Sequence, residues 1–347
     1  MKYDNVFIDA IGYELAPVVV TSEELEERIA PVYEKLRIAP GQLPVLTGIE
    51  ERRWWEPDTP LSTGAIAAAQ QALEKGGVSG RDLGAVIYAG VCRESFEPAT
   101  ACRVADAVGV DPSAAVFDIS NACLGVVNGI LDVANRIELG QIRAGLVCSC
   151  ESAREINDVI IAQLLERPEM EFFTKSLATL TGGSGAAAVL VTDGSFARGE
   201  RHRLLGGVMQ TAPEFHALCR WGVDWDGRRV PHPYMYTDSV AVLNNGVELG
   251  LRTWSALLNE LAWTSATVDR TICHQVGSAH RETVLKMIDV SMERDFVTYP
   301  FLGNIGTVSL PLTAAIAAER GMLESGHKVA LLGIGSGLNC MMLGLQW

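Results

Sequence analysis

The sequence is poor in positive charge. Its 347 residues carry 28 Lys and Arg against 42 Asp and Glu, a formal net charge of −14. Such a field repels a phosphate backbone and excludes nucleic acid as a natural partner. It is still compatible with a small anionic ligand held by a few local basic groups. Cysteine is sparse: eight over this length cannot build a disulfide-stapled scaffold. Cys148 and Cys150 form a C-x-C, but no C-x-x-C occurs. The histidines include no H-E-x-x-H, and His274 and His280, six apart, would fall on different faces of a helix. No metal site is therefore expected. A long apolar run is also missing. The longest uncharged stretch, 329–345, holds four glycines with Ser336 and Asn339, and is a little short for a bilayer span. Asp4, Asp9 and Glu14 interrupt residues 1–20, which therefore do not read as a secretory signal. A soluble, cytoplasmic protein without transmembrane segments is expected.

Three nucleotide and nucleophile signatures are absent as well. There is no G-x-x-x-x-G-K-[ST] and no G-x-S-x-G. The two glycine clusters, 182–185 and 333–337, lead into strand-like runs rather than into the helix of a dinucleotide site. Nicotinamide, ATP and serine-hydrolase chemistry lose their usual anchors, and no permanently bound cofactor is expected.

What is present is an alternating α/β pattern in a chain that is 48% apolar and 20% charged. Short apolar runs at 85–89, 115–119, 144–148, 186–191, 329–332 and 341–345 read as buried strands. Helical spacing covers 61–75, 99–108, 124–139, 240–261 and 310–323. Each glycine cluster feeds an apolar strand near the end of one half of the chain. This suggests two duplicated halves, 1–195 and 196–347. The stretch 198–236, richer in Arg, His, Trp and Pro, reads as a junction and loop excursion.

Four positions invite chemistry. Cys123 stands where the strand 115–119 turns into a helix whose apolar face is Val127, Ile130, Leu131, Ala134 and Ile137. Free N–H groups at a helix start lower a thiol's pKa and favour a nucleophilic thiolate, although a buried cysteine also serves as a small hydrophobe. His274 ends the run 271–273, and Ser278 just beyond is placed to cap a helix. It is either a site histidine at a sheet edge or a hydrogen-bonded structural one. Asn304 lies between Gly303 and Gly306, as a turn residue or as an amide donor to an oxyanion. Glu97 precedes Pro98 and a helix, as a favourable charge at its start or as a base.

Together these positions resemble a family. Asn121-Ala122-Cys123-Leu124-Gly125, His274-Gln275-Val276, Gly303-Asn304-Ile305-Gly306 and the run from Gly333 to Asn339 come in the order of the thiolase-superfamily condensing enzymes. The segment from Thr47 to Arg53 and the Cys–His–Asn set look like the ketoacyl-ACP synthase III branch. Phe96-Glu97-Pro98-Ala99-Thr100 is closest to its OleA group, the head-to-head condensing enzymes of long-chain olefin synthesis. The Trp and Arg that often precede T-G-I in that branch are absent from 42–46, so its CoA clamp does not carry over.

The resemblance implies a five-layer αβαβα thiolase fold and a homodimer. It implies a cytoplasmic acyltransferase that takes acyl-CoA, or acyl carrier protein thioesters, through an acyl-Cys123 intermediate. Backbone N–H groups of Cys123 and of Ser336 or Gly337 would hold the first oxyanion. His274 and Asn304 would stabilise the enolate, and Glu97, reaching across the dimer interface, would remove the α-proton. The product would be a β-keto acid for downstream pathway enzymes. Three alternatives stay open: a decarboxylating synthase III using malonyl-ACP, an O- or N-acyltransferase, and a non-catalytic acyl-binding partner subunit.

Overall fold

Burial of two helices between two layers of strands organises the chain. The computed structural model describes residues 1–196, 201–224 and 232–347. Its principal strands are β1 (Phe7–Leu15), β2 (Ala85–Tyr88), β3 (Ala115–Asp118), β4 (Ala144–Glu151), β5 (Gly185–Thr192), β6 (His202–Thr211), β7 (Cys219–Asp224), β8 (His232–Thr237), β9 (Arg270–Cys273), β10 (Lys328–Gly335) and β11 (Asn339–Gln346). The longer helices are α1 (Leu61–Gly76), α2 (Ala101–Val108), α3 (Gly125–Glu138), α4 (Arg154–Glu166), α5 (Met170–Leu180), α6 (Ser239–Leu261), α7 (Ser278–Met287) and α8 (Ser309–Glu319).

Nine strands join edge to edge in the order β9-β10-β11-β6-β1-β5-β4-β2-β3. The order repeats about its middle. On one side β2 runs parallel to β4, and β4, β5 and β1 then pair antiparallel. On the other side β9 runs parallel to β10, and β10, β11 and β6 then pair antiparallel. The sides meet in the short antiparallel pairing of Phe7 and Ile8 with Arg203 and His202. The segment 202–211, expected as junction and loop, is therefore an inner strand. Its glycines and half-buried polar residues obscure the apolar alternation of a strand.

The two sides fold over α3 and α8. Helix α3 packs on β4, β5 and β2 and also on β11, and α8 packs on β1, β5, β9 and β10. Every residue of α8 from Ser309 to Ala317 is buried, as a helix walled in on all sides requires. Outside, α1 and α2 cover one half-sheet and α6 and α7 the other. The layers thus read αβαβα. The run 329–345 is the β10–β11 hairpin of the inner sheet, and among the described residues no helix is long and apolar enough to cross a membrane.

Replacing Ile130, buried in the central cluster, by alanine is expected to lower unfolding stability by about 2–5 kcal/mol. Urea unfolding followed by circular dichroism measures it, and a loss under about 1 kcal/mol contradicts a close-packed middle layer.

Candidate active site

The two buried helices begin at the same place. Cys123 lies in the single 3-10 turn Ala122–Leu124 that opens α3, after Ala122 at φ 45°. Asn304 lies in the turn that leads to α8. Thr307, from that second turn, accepts with its hydroxyl oxygen from the backbone N–H of Val126 at 2.7 Å, so one turn caps the helix of the other. Asn339 Nδ2 donates to Asn121 Oδ1 at 2.9 Å, tying the β10–β11 turn to the cysteine turn. Gly335 permits this approach: a Cβ there would stand 3.4 Å from the Cys123 nitrogen.

His274 extends β9 by one residue, its N–H donating to Leu332 O at 2.9 Å. Gln275 secures the turn beyond it, accepting from the N–H groups of Thr298 and Tyr299 at 2.8 and 3.0 Å. The T-G-I segment braces the same turn, since a Cβ on Gly48 would be 2.8 Å from Ser278 Cβ. Ser278 itself starts α7 and makes no side-chain cap, because Gly277 occupies the cap position. Asn304 is pinned through its backbone, donating to Thr181 O and accepting from Gly183 N–H, each at 2.9 Å. Its Oδ1 accepts from Gly306 N–H at 3.1 Å, which leaves Nδ2 as the group free to donate.

Cys123, His274, Asn304 and Ser336 all line one cavity of about 470 Å³. Ile156, Met235, Val242, Ile334 and Leu338 give it an apolar wall. Gly335 and Leu338 reach the wall, whereas Gly337 does not. Glu97 is exposed on a segment outside the cavity, next to Phe96, which is 98% exposed. Arg52 is a frame residue: it is 1% exposed, and its Nη2 donates to Ser22 Oγ at 3.0 Å. The stretch 166–173 ends α4 and starts α5 without touching the cavity, and Phe173 packs edge-on against Tyr33.

The electrostatics overturn one expectation. Burial, with smaller effects from Cys219 and Glu151, pushes the Cys123 thiol up to about 12. The helix start counters this little: the Cys123 N–H favours the thiolate slightly, and the next three donors are spent. Leu124 N–H bonds Asn121 O, Gly125 N–H bonds Ala122 O, and Val126 N–H bonds Thr307. In the free protein the sulfur is a thiol at ordinary pH, and it needs a base at the moment of attack. Burial, then His280, holds His274 down at about 3, so its imidazole is neutral at ordinary pH. It can take a proton or donate a ring N–H, but it brings no fixed charge.

Three groups in the wall escaped sequence reasoning. His280, on α7, lines the same cavity as His274 and is near enough to disfavour its charge, although the two are six residues apart. Cys219, at the base of the β7–β8 hairpin, approaches Cys123. Glu151 ends β4 inside the wall, and burial pushes it up to about 7. Glu151 gave a usable signal, as an acid closing the apolar run 144–150. The hairpin gave little, since 219–237 lacks a continuous apolar pattern.

Comparison with known proteins decides the kinship. A family model for the C-terminal part of 3-oxoacyl-[acyl-carrier-protein] synthase III matches residues 258–347. An acyl-CoA:acyl-CoA alkyltransferase of Shewanella oneidensis is 56% identical over the full length of both chains. The chain belongs to the acyl-CoA:acyl-CoA alkyltransferase family. A second such enzyme, from Xanthomonas campestris, is 33% identical, again over both full lengths. Crystal structures of Xanthomonas campestris OleA superpose with a TM-score of 0.93 at 33% identity, covering 100% of this chain and 98% of that one. One of these holds cerulenin. Another OleA structure, a cysteine-to-serine variant with bound lauric acid and lauroyl-CoA, superposes at 0.90 over 99% of this chain. This likeness to OleA extends through both half-sheets and the middle helices, so the thiolase fold holds for the whole chain.

A thiol at about 12 makes a checkable prediction. Iodoacetamide labelling of Cys123 in the free protein should speed up about tenfold per pH unit through pH 9, because only the thiolate reacts. Peptide mass mapping follows it, and a rate that levels off at or below pH 7 contradicts a buried neutral thiol.

Proposed function

We propose that this chain joins two fatty acyl-CoA molecules head to head by Claisen condensation, without decarboxylation, and releases a 2-alkyl-3-keto acid. The observation that carries the reading is the meeting of Cys123, His274 and Asn304, from three distant segments, on one apolar-walled cavity. Cys123 Sγ attacks the carbonyl carbon of the first thioester while neutral His274 takes the thiol proton. The oxyanion rests on the N–H of Cys123 and on the Ser336–Gly337 backbone. The thioester's C–S bond then breaks, and the departing CoA sulfur leaves as a thiol with that proton. The apolar side chains Ile156, Val242 and Ile334 would take the fatty chain, and Arg220 suits the phosphates of CoA.

The second acyl-CoA must lose a proton from its α-carbon. His274 and Asn304 Nδ2 then each donate a hydrogen bond to its carbonyl as an enolate forms; one such donor is worth about 3 kcal/mol. The enolate carbon attacks the acyl-Cys123 carbonyl, forming the carbon–carbon bond and expelling the cysteine sulfur. Water finally cleaves the remaining thioester. Among the described residues the one acid lining the cavity is Glu151, and its two oxygens already accept from the backbone N–H groups of Val91 and Cys92. We assign the role of base for the α-proton to Glu97 of a second copy in a homodimer. The support is its exposure beside the protruding Phe96, on a segment that its own cavity does not use. The division into two halves at about residue 195 is supported by the repeated strand order.

Purified protein given radiolabelled myristoyl-CoA alone should yield condensed product. An absolute requirement for malonyl-ACP would instead make it a decarboxylating synthase. Glu97→Ala should lower condensation by about 10²–10⁴-fold while an acyl adduct still forms on Cys123. Transfer to an alcohol or amine that survives this substitution would identify an O- or N-acyltransferase, and absence of any adduct would identify a binding subunit.

A further inference from the structure

The segment that carries Glu97 is fastened at three points by carboxylates of its own protomer. At its root, Glu151 accepts from the N–H groups of Val91 at 2.9 Å and Cys92 at 3.1 Å. Further along, Glu94 accepts from Ser62 N–H at 2.7 Å and from Arg103 at 2.8 Å. At its end, Asp118 accepts from the N–H groups of Thr100 and Ala101 at 3.0 and 2.9 Å. Between the last two anchors, Ser95, Phe96, Glu97 and Pro98 stand exposed.

The first anchor differs from the others because it also lines the catalytic cavity. Glu151 is 4% exposed. It also lies close enough to the backbone of Thr307, the residue whose side chain caps the Cys123 helix, for that backbone to favour its charged form. Its carboxyl fits against Gly306, where a Cβ would stand 3.3 Å from Glu151 Cγ. Gly306 N–H in turn orients the Asn304 amide. One buried carboxylate therefore touches the turn of the enolate-binding amide and the root of the projecting arm.

We propose that Glu151 is a positioning residue for carbon–carbon bond formation, holding the root of the Glu97 arm and the Asn304 turn at one fixed spacing. The inference rests on the condensing function proposed above. A carboxylate suits the task because its two oxygens accept from several backbone N–H groups at once. Glutamine keeps the shape but turns an N–H₂ toward one of those donors.

The test is Glu151→Gln, read in two half-reactions and by hydrogen exchange. Acylation of Cys123 by myristoyl-CoA, followed by intact mass, should stay within about threefold of wild type. Condensation should fall by about ten- to a hundredfold, the scale of one lost hydrogen bond to a charged group. Amide exchange should rise at 91–97 and at 304–307. Glu94→Gln, which frees the arm without facing the cavity, should lower condensation while exchange at 304–307 stays unchanged; it decides the matter if Glu151→Gln does not fold. Unchanged exchange in Glu151→Gln, full condensation in Glu94→Gln, or loss of acylation in a folded Glu151→Gln protein would each overturn the proposal. If wild type makes no condensed product, the condensing function fails instead, and exchange at 91–97 still reports on Glu151.

Discussion

The whole site depends on burying α3 and α8 between two half-sheets. A helix surrounded on every side must spend its terminal N–H groups inside the protein, since water is not at hand. Here the turn ahead of α8 does this for α3, with Thr307 capping Val126. That cap brings the turns of Cys123 and Asn304 together. The parallel pair β9–β10 then delivers His274 at its end, and the β10–β11 turn delivers Ser336.

The same burial sets the chemistry. Burial raises the cysteine thiol and holds the histidine neutral. Both groups are then uncharged in the free protein. A neutral imidazole beside the Asn304 amide offers two donors to a developing enolate, and such donors count for most where the dielectric is low. Activation of the sulfur belongs to proton transfer within the cavity rather than to the helix dipole.

Much of this was legible in the residues. Apolar runs such as 144–148 and 186–191 are central strands, because strands buried on both faces leave no polar alternation to confuse. Helical spacing located α3 within a residue of each end. Cys123 and His274 stood out because each follows a short apolar strand and precedes a helix, and Asn304 because it sits in a glycine-rich turn ahead of one. Strand β6 was missed because the glycine pair Gly206 and Gly207 occupies its buried middle, one on each face, and leaves no apolar alternation. His280 and Cys219 reach the cavity through tertiary packing that sequence spacing does not encode. Glu97 was a weak candidate from its place before a helix and drew its role from the resemblance; in the folded protomer it is exposed and does not line the cavity.

The most direct test of the account is where an acyl group lands. Protein treated with one equivalent of myristoyl-CoA, digested and mapped by mass spectrometry, should carry the myristoyl thioester on Cys123 and on none of the other seven of its eight cysteines. A myristoyl group on Cys219, or none on Cys123 in protein that is otherwise folded, would contradict it.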